Sequence, residues 1–317
     1  MSCIEARSLS KSYDGLEAVS SIDLSVSAGK IFGFLGPNGA GKTTTIKLLT
    51  TLIAPTSGTI HILGMDAIRH PLEVRKKVGV VLQQPSYEPT LSVEKSIEKY
   101  AMMWNVDKKL QKDRVEELLS AFDLHDIRKK KNDDLSIGQR RRVQVAREFV
   151  HDMDLLFLDE PTVGLDPSAR RSLLDYVKKK VREGLTIFFT THILEEAEYL
   201  CDEIAIINKG KIIAVDTPTE LKNKFGREKT IKIHIGETRK DLSVLLQGIH
   251  DYQIEYDSGT IITIRSHSSE DVLLKILQIL TVNEIPIEDL SVVPTSLEEI
   301  FLTMVKNSNA SSGSISK

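Results

Sequence analysis

The chain has 317 residues, with 42 Lys and Arg against 45 Asp and Glu, a formal net charge of −3. That balance excludes the basic footprint of a general nucleic-acid binder, so no nucleic acid is expected as a partner. With 41% hydrophobic and 27% charged residues the chain is not disordered, and at roughly 100–200 residues per domain its length admits one large domain or two.

In chain order, Met1-Ser2-Cys3-Ile4-Glu5 lacks the basic start and apolar core of a signal peptide. Ile31–Leu35 is a short apolar run of strand length, stopped by the glycine-rich segment Gly36-Pro37-Asn38-Gly39-Ala40-Gly41. From Lys42 to Leu52 the spacing of Ile46, Leu48, Leu49 and Leu52 predicts a helix. A charged helical stretch covers about Val93 to His151. Buried strands are predicted at Asp154–Leu158 and Thr186–Thr190, and a hairpin at Ile204–Ile207 and Lys211–Val215 around Asn208-Lys209-Gly210. Short strands separated by helices imply an α/β core with a mainly parallel sheet. No run approaches the roughly 20 apolar residues of a membrane-spanning helix, so a soluble chain is expected, with any membrane role supplied by a partner. Cys3 and Cys201 are too few and too far apart for a disulfide framework or a zinc site.

From about Lys229 the pattern changes. Ile231, Ile233 and Ile235 alternate as in a strand, and Leu242, Leu245, Leu246 and Ile249 fall at helical spacing. A hairpin at Tyr252–Tyr256 and Thr260–Arg265 turns around Asp257-Ser258-Gly259, and a helix over about Ser269–Asn283 leads to a strand over Ile287–Val293. The order βαββαβ is that of ferredoxin-like domains. Thr295-Ser296-Leu297-Glu298 has capping-box spacing and predicts a last helix through Lys306, followed by a disordered tail over 307–317.

Two motifs carry chemistry on their own residues. Gly36-x-x-x-x-Gly41-Lys42-Thr43 matches the phosphate-binding loop: its backbone N–H groups face phosphates, Lys42 reaches the β- and γ-phosphates, the Thr43 hydroxyl ligates Mg²⁺, and Thr44 donates to the α-phosphate. Leu155–Leu158 followed by Asp159 and Glu160 places acids at the carboxyl end of a strand, where α/β sheets bind ligands. Asp159 is the candidate Mg²⁺ holder and Glu160 the group that polarises an attacking water. Lys129–Lys131 and Lys178–Lys180 read as solvated faces, Trp104 as core or partner surface, and a phosphate-facing role for Arg140–Arg142 is left open.

Leu135-Ser136-Ile137-Gly138-Gln139 then resembles the signature motif of ATP-binding cassette (ABC) ATPases, and the rest of that family's set follows in the family's order. Tyr13 stands where the family has its adenine-stacking aromatic. Gln83, closing Gly79–Leu82, resembles the Q-loop glutamine that reaches Mg²⁺ and the nucleophilic water. Val163-Gly164-Leu165-Asp166 matches the D-loop, and His192 follows its strand as the switch histidine does. One residue departs: Ile137 replaces the first signature glycine, and a β-branched residue is costly wherever positive φ is required.

The resemblance implies an ABC nucleotide-binding domain over 1–226, with a helical subdomain at about 84–151, and an accessory α+β domain over 227–306. It also implies hydrolysis of ATP with Mg²⁺ by a head-to-tail homodimer or paired cassette. Lys42, Thr43, Asp159 and Glu160 of one chain and Ser136 and Gly138 of the other then hold each nucleotide, with Leu135 and Gln139 flanking that signature. The motion passes to a separate transmembrane permease that docks near residues 84–104, which places the chain on the cytoplasmic face of the membrane. The segments Thr190–Glu198 and Gly164-Leu165-Asp166-Pro167, with the ending Pro294–Phe301, resemble the daunorubicin-resistance-type export ATPases in particular. Two other readings remain open: a soluble ABC ATPase outside transport, and a non-hydrolysing nucleotide-sensing module.

Overall fold

The computed structural model describes residues 2–225, 229–236, 242–246, 253–257, 261–266, 269–294 and 296–312. They divide into two compact units, 1–217 and 218–317, each with its own core.

The first unit opens with a long antiparallel hairpin, β1 (Ser2–Tyr13) and β2 (Leu16–Ser27). Its turn, Asp14-Gly15, has positive φ at both residues, the geometry that matches strand twist. Next come β3 (Ile31–Leu35), the glycine loop and α1 (Lys42–Leu49), which stops short of the predicted Leu52; Thr50 caps it and Leu52 is exposed. β4 (Ser57–Ile62) and β5 (Met65–Asp66) complete an antiparallel sheet in the order β2-β1-β4-β5. After α2 (Pro71–Arg75) and β6 (Val78–Val81), the predicted helical stretch resolves into α3 (Val93–Met103), α4 (Lys108–Ala121) and α5 (Ile137–Glu148), packed on one another. The core resumes with β7 (Leu155–Asp159), α6 (Pro167–Arg182), β8 (Thr186–Thr191), α7 (Leu194–Leu200) and the hairpin β9 (Glu203–Asn208) and β10 (Lys211–Asp216).

The central sheet runs β10-β9-β3-β8-β7-β6, parallel except for the β9–β10 hairpin. Every residue of β3, β7 and β8 is buried, as expected of a sheet covered on both faces. Phe188 of β8 lies 5.4–5.7 Å, centroid to centroid, from Phe32, Phe34 and Phe157, so aromatic packing fixes these strands side by side. Their order places four segments next to one another at the carboxyl edge: the glycine loop after β3, His192 after β8, Asp159-Glu160 at the end of β7, and Gln83 after β6.

The second unit begins with α8 (Pro218–Phe225), which lies beside the last helix, and so starts earlier than the 226/227 boundary predicted. β11 (Lys229–Ile235), α9 (Leu242–Leu245), β12 (Gln253–Asp257), β13 (Ile261–Ser266), α10 (Ser269–Val282) and β14 (Ile287–Pro294) follow in the order βαββαβ. The sheet order β12-β13-β11-β14, antiparallel throughout, is the ferredoxin-like one. The expected turn at Ser258-Gly259 and the helical Ile249 lie outside the described residues. α11 (Leu297–Ser312) is capped by Ser296 and Glu299, which exchange backbone-to-side-chain bonds of 3.2 and 3.3 Å. The box is one residue later than the Thr295–Glu298 pair, and the helix continues past Lys306 through Ser312, where a disordered tail was expected.

Candidate active site

Gly41 caps α1 at φ 108, and a Cβ there would meet the Ala18 carbonyl oxygen at 2.5 Å, so the loop requires glycine. The helix that follows has no acid in its first turn. Its amino end offers N–H groups and partial positive charge to an anion. Lys42, the first residue of that helix, is buried; Nζ donates to the Gly36 and Pro37 carbonyls at 2.7 and 3.3 Å and lies 3.5 Å from Glu160 Oε1.

Asp159 is fully buried, and each carboxylate oxygen accepts from a hydroxyl: Oδ1 from Thr190 at 2.6 Å and Oδ2 from Thr43 at 2.9 Å. Glu160 takes left-handed backbone geometry, φ 48, with its N–H donating to both the carbonyl and the hydroxyl of Thr190 at 3.1 Å. For a non-glycine residue this conformation costs of order 1–2 kcal/mol. It turns the carboxylate into a cluster: besides Lys42, Gln83 Nε2 donates to Oε2 at 3.1 Å, and His192 Nδ1 lies 3.3 Å from the same oxygen. Glu160 is buried, whereas the His192 side chain is half exposed. Six of the predicted residues are thus brought together in two sets, Thr43 with Asp159 and Lys42, Gln83 and His192 with Glu160, joined through the consecutive pair Asp159-Glu160.

The signature stands apart from that cluster. Ser136 caps α5 in a reciprocal box, Gln139 N donating to Ser136 Oγ at 3.2 Å and Ser136 N donating to Gln139 Oε1 at 3.0 Å. Because Oγ acts there as an acceptor, its O–H is left over as a donor. Leu135 is buried behind it. Ile137 is the first helical residue and is not among the positive-φ positions, so the strain expected of it does not arise; its side chain is 73% exposed. Gly138 approaches the D-loop so closely that a Cβ would sit 2.6 Å from the Gly164 carbonyl oxygen. Asp166 caps α6, accepting from Ala169 N at 3.0 Å, and that bond holds its carboxyl below the usual range. Tyr13 ends β1, partly exposed, with Lys11 Nζ 5.1 Å from its ring centre. Among the described residues, no hydrogen bond or ion pair links Tyr13, Ser136 or Gly138 to the Glu160 cluster.

Residue-type reasoning missed two side chains. Arg140, Arg141 and Arg142 of α5 all bond to the protein itself: Arg140 meets the Leu135 and Asp133 carbonyls and the Tyr87 hydroxyl, Arg142 meets Phe122 and Asp123, and Arg141 is buried among backbone carbonyls beside Asp159 and Glu160. The signal was present in α5, where Arg141, Gln144 and Glu148 put polar groups on a buried face at helical spacing. Glu196 is the other: its buried Oε2 accepts from the Thr162 and Thr191 hydroxyls at 3.0 and 2.7 Å. It ties the segment after Glu160 to the one before His192.

A groove of about 610 Å³ adjoins the Gln83 segment, lined by Leu52, Leu82, Pro85, Tyr100, Trp104 and Glu148 among others. Trp104 stacks on His151 at 3.9 Å between ring centres, the rings nearly parallel. Burial pushes the Glu148 carboxyl up to about 7 and the His151 imidazole down to about 4.

Among the described residues no three His, Cys, Asp or Glu side chains form a metal cluster. The hydroxyl of Thr43, the carboxylate of Asp159 and the amide of Gln83 nevertheless fit Mg²⁺, which takes hard oxygen ligands, few of them from protein, and fills its octahedron with water and phosphate oxygens.

Residues 19–163 match the family model described as ABC transporter, and residues 217–305 match that of the ATP-binding protein DrrA1-3-like C-terminal domain. A third model, described as AAA domain, putative AbiEii toxin, Type IV TA system, overlaps at 131–198. The chain is 36% identical to the daunorubicin/doxorubicin resistance ATP-binding protein DrrA of Streptomyces peucetius, over 95% of this chain and 92% of that one. It is 31% identical to the linearmycin resistance ATP-binding protein LnrL of Bacillus subtilis (strain 168), over 95% and 97%. A solved ATP-binding subunit of an ABC transporter, 29% identical, superimposes with a TM-score of 0.66 over 71% of this chain and 93% of its own.

Proposed function

The chain belongs to the ABC transporter ATP-binding family, and from that premise we propose that it is the ATP-hydrolysing subunit of an exporter, working as a dimer on a separate membrane permease. The observation that carries the chemistry is the convergence of Lys42, Gln83 and His192 on the Glu160 carboxylate, beside the Thr43–Asp159 pair.

In this reading the loop N–H groups from Gly36 to Thr44 and the Lys42 ammonium hold the β- and γ-phosphates, and Tyr13 stacks on the base. Thr43, Asp159 and Gln83 hold Mg²⁺, which when bound neutralises charge developing on the phosphate oxygens. Glu160 accepts the proton of the attacking water, Gln83 orients that water, and His192 contacts the γ-phosphate. The second chain supplies its Ser136 hydroxyl and Gly138 N–H from across the interface, with Asp166 at the seam. Hydrolysis removes those γ-phosphate contacts and the two chains part.

The groove beside Gln83 is the proposed seat of the permease, since it joins apolar lining to the segment that carries Gln83. No helix of the described residues is long and apolar enough to cross a membrane; in this reading the path for cargo is the separate permease, and the chain works at its cytoplasmic face. DrrA and LnrL are named for resistance to daunorubicin/doxorubicin and to linearmycin, which supports export as the direction and a molecule of the drug or antibiotic class as cargo.

Glu160→Gln is expected to bind Mg-ATP, to dimerise by size-exclusion chromatography, and to lose about 100- to 10,000-fold in turnover, the range of a general base. Near wild-type phosphate release from this variant removes Glu160 from that role. Affinity purification from detergent-solubilised membranes tests the coupling. Recovery of a multi-span protein in near-equal amount supports the exporter, and recovery of ribosomal or DNA-repair proteins replaces it with a soluble ABC ATPase.

A further inference from the structure

Arg141 spends every N–H of its guanidinium inside the protein. Nε donates to the Pro161 carbonyl at 3.1 Å, Nη1 to the Leu82 carbonyl at 2.7 Å and to Gln144 Oε1 at 2.9 Å, and Nη2 to the Asp159 and Glu160 carbonyls at 2.7 and 2.9 Å. Its side chain is buried, and desolvation drags its pKa down to about 10 against the opposing pull of Asp159 and Glu160. A cation so placed is an expensive way to fill a core; an apolar side chain of similar volume serves stability as well or better. What the guanidinium does that an apolar group does not is fix carbonyls in space.

The carbonyls it fixes are specific. Asp159, Glu160 and Pro161 are consecutive, and they form the turn on which Glu160 is left-handed at φ 48. Leu82 immediately precedes Gln83, whose amide donates to Glu160. Gln144, one turn along α5, braces Nη1 and donates to the Leu82 and Gln84 carbonyls at 3.2 and 3.1 Å. Arg141 itself is in α5, the helix that Ser136 opens. A planar fork with five donors can join these acceptors at once, whereas a lysine ammonium is a single point with three.

We propose that Arg141 is a positioning residue: it holds the turn that aims the Glu160 carboxylate and locks that turn and the Gln83 segment to the signature helix, so that the three move as one piece. With all five of its N–H groups spent inside the protein, it acts through Glu160. The proposal rests on the reading of Glu160 as the base, and the test separates the two.

Turnover and Mg-ATP affinity of the full chain are measured for Arg141→Lys, Glu160→Gln and the double variant, using single-turnover phosphate release for the slow ones and calorimetry for binding. Arg141→Lys is expected to lose about 100-fold in kcat, the scale of a misplacement near 1 Å, with ATP affinity within about twofold of wild type. The double variant is expected to turn over no more slowly than Glu160→Gln alone, because the group through which Arg141 acts is already gone. Wild-type kcat in Arg141→Lys overturns the proposal, as does a double variant slowed by the product of the single effects, or an affinity loss as large as the kcat loss. Should Arg141→Lys melt below the assay temperature, Gln144→Met removes only the brace; a kcat loss of about tenfold that vanishes in the Glu160→Gln background supports the proposal, and an unchanged kcat overturns it. Wild-type turnover in Glu160→Gln itself sinks the base assignment and the route through it, whereas a loss there beside full activity in Arg141→Lys sinks the role of Arg141 alone.

Discussion

Asp159 shows at the residue scale why the site folds at all. A carboxylate with no solvent exposure survives because two hydroxyls donate to it, and Thr190 gives the shorter of the two bonds. Thr190→Val leaves one oxygen without its donor and is expected to cost about 1–3 kcal/mol of unfolding free energy, measured by urea titration, while Thr190→Ser stays close to wild type. Residues of this kind were legible in the sequence because the chemistry demands fixed types at fixed spacings: the phosphate loop admits only glycine at position 41, and an apolar strand ending in two acids has few other readings. Arg141 was not legible in the same way. Its partners are mostly backbone carbonyls, which every residue carries, so no complementary side-chain pattern marks them.

The end of α5 and the segment after it carry opposed titrations at the scale of an element. Glu148 has its folded pKa raised to about 7 from 4.5, chiefly by burial, so its contribution to stability is present below pH 4.5 and is lost as pH rises to about 7. His151 has its folded pKa lowered to about 4 from 6.5, again chiefly by burial, so its contribution is present above pH 6.5 and is lost as pH falls toward 4. Each amounts to about 3 kcal/mol at most, and over their shared window the two slopes oppose each other. Glu148→Gln is therefore expected to leave stability rising with pH between 4 and 6.5, and His151→Phe to leave it falling between 4.5 and 7; urea midpoints across that range check both. Elements are legible where a short apolar run stands between turn residues or helical stretches, as in β3, β7 and β8. The β1–β2 hairpin escaped because register shifts between Ala6 and Leu9, and again to Lys11, interrupt its alternation. At α11 two overlapping capping pairs satisfy the same spacing, and only the folded backbone selects Ser296–Glu299.

The whole molecule is two units, each with a separate apolar core, one drawn from Cys3 to Ile212 and the other from Ile231 to Ile285. A chain ending after Thr217 is expected to fold, to bind Mg-ATP and to melt in one step, since among the described residues none of the first core lies beyond that point; calorimetry and ATP titration of residues 1–217 test it. The alternation and helical spacing beyond Lys229 disclosed the second unit, but α8 lay ahead of the change in pattern and was assigned to the wrong side of the boundary. The bare Gly138 backbone against the Gly164 carbonyl has a consequence at this scale. The tip of the signature helix meets the D-loop there backbone against backbone, with Ile137 of the same tip set beside Gly164, so neither can be displaced toward the other. In the proposed sandwich each subunit thus presents its neighbour with a single stiff rim instead of two independent fingers. In that proposed pair, loss of grip at one nucleotide would reach the seam through the same rim, and the two chains would open by tilting whole rims, like the jaws of a clamp on one pin.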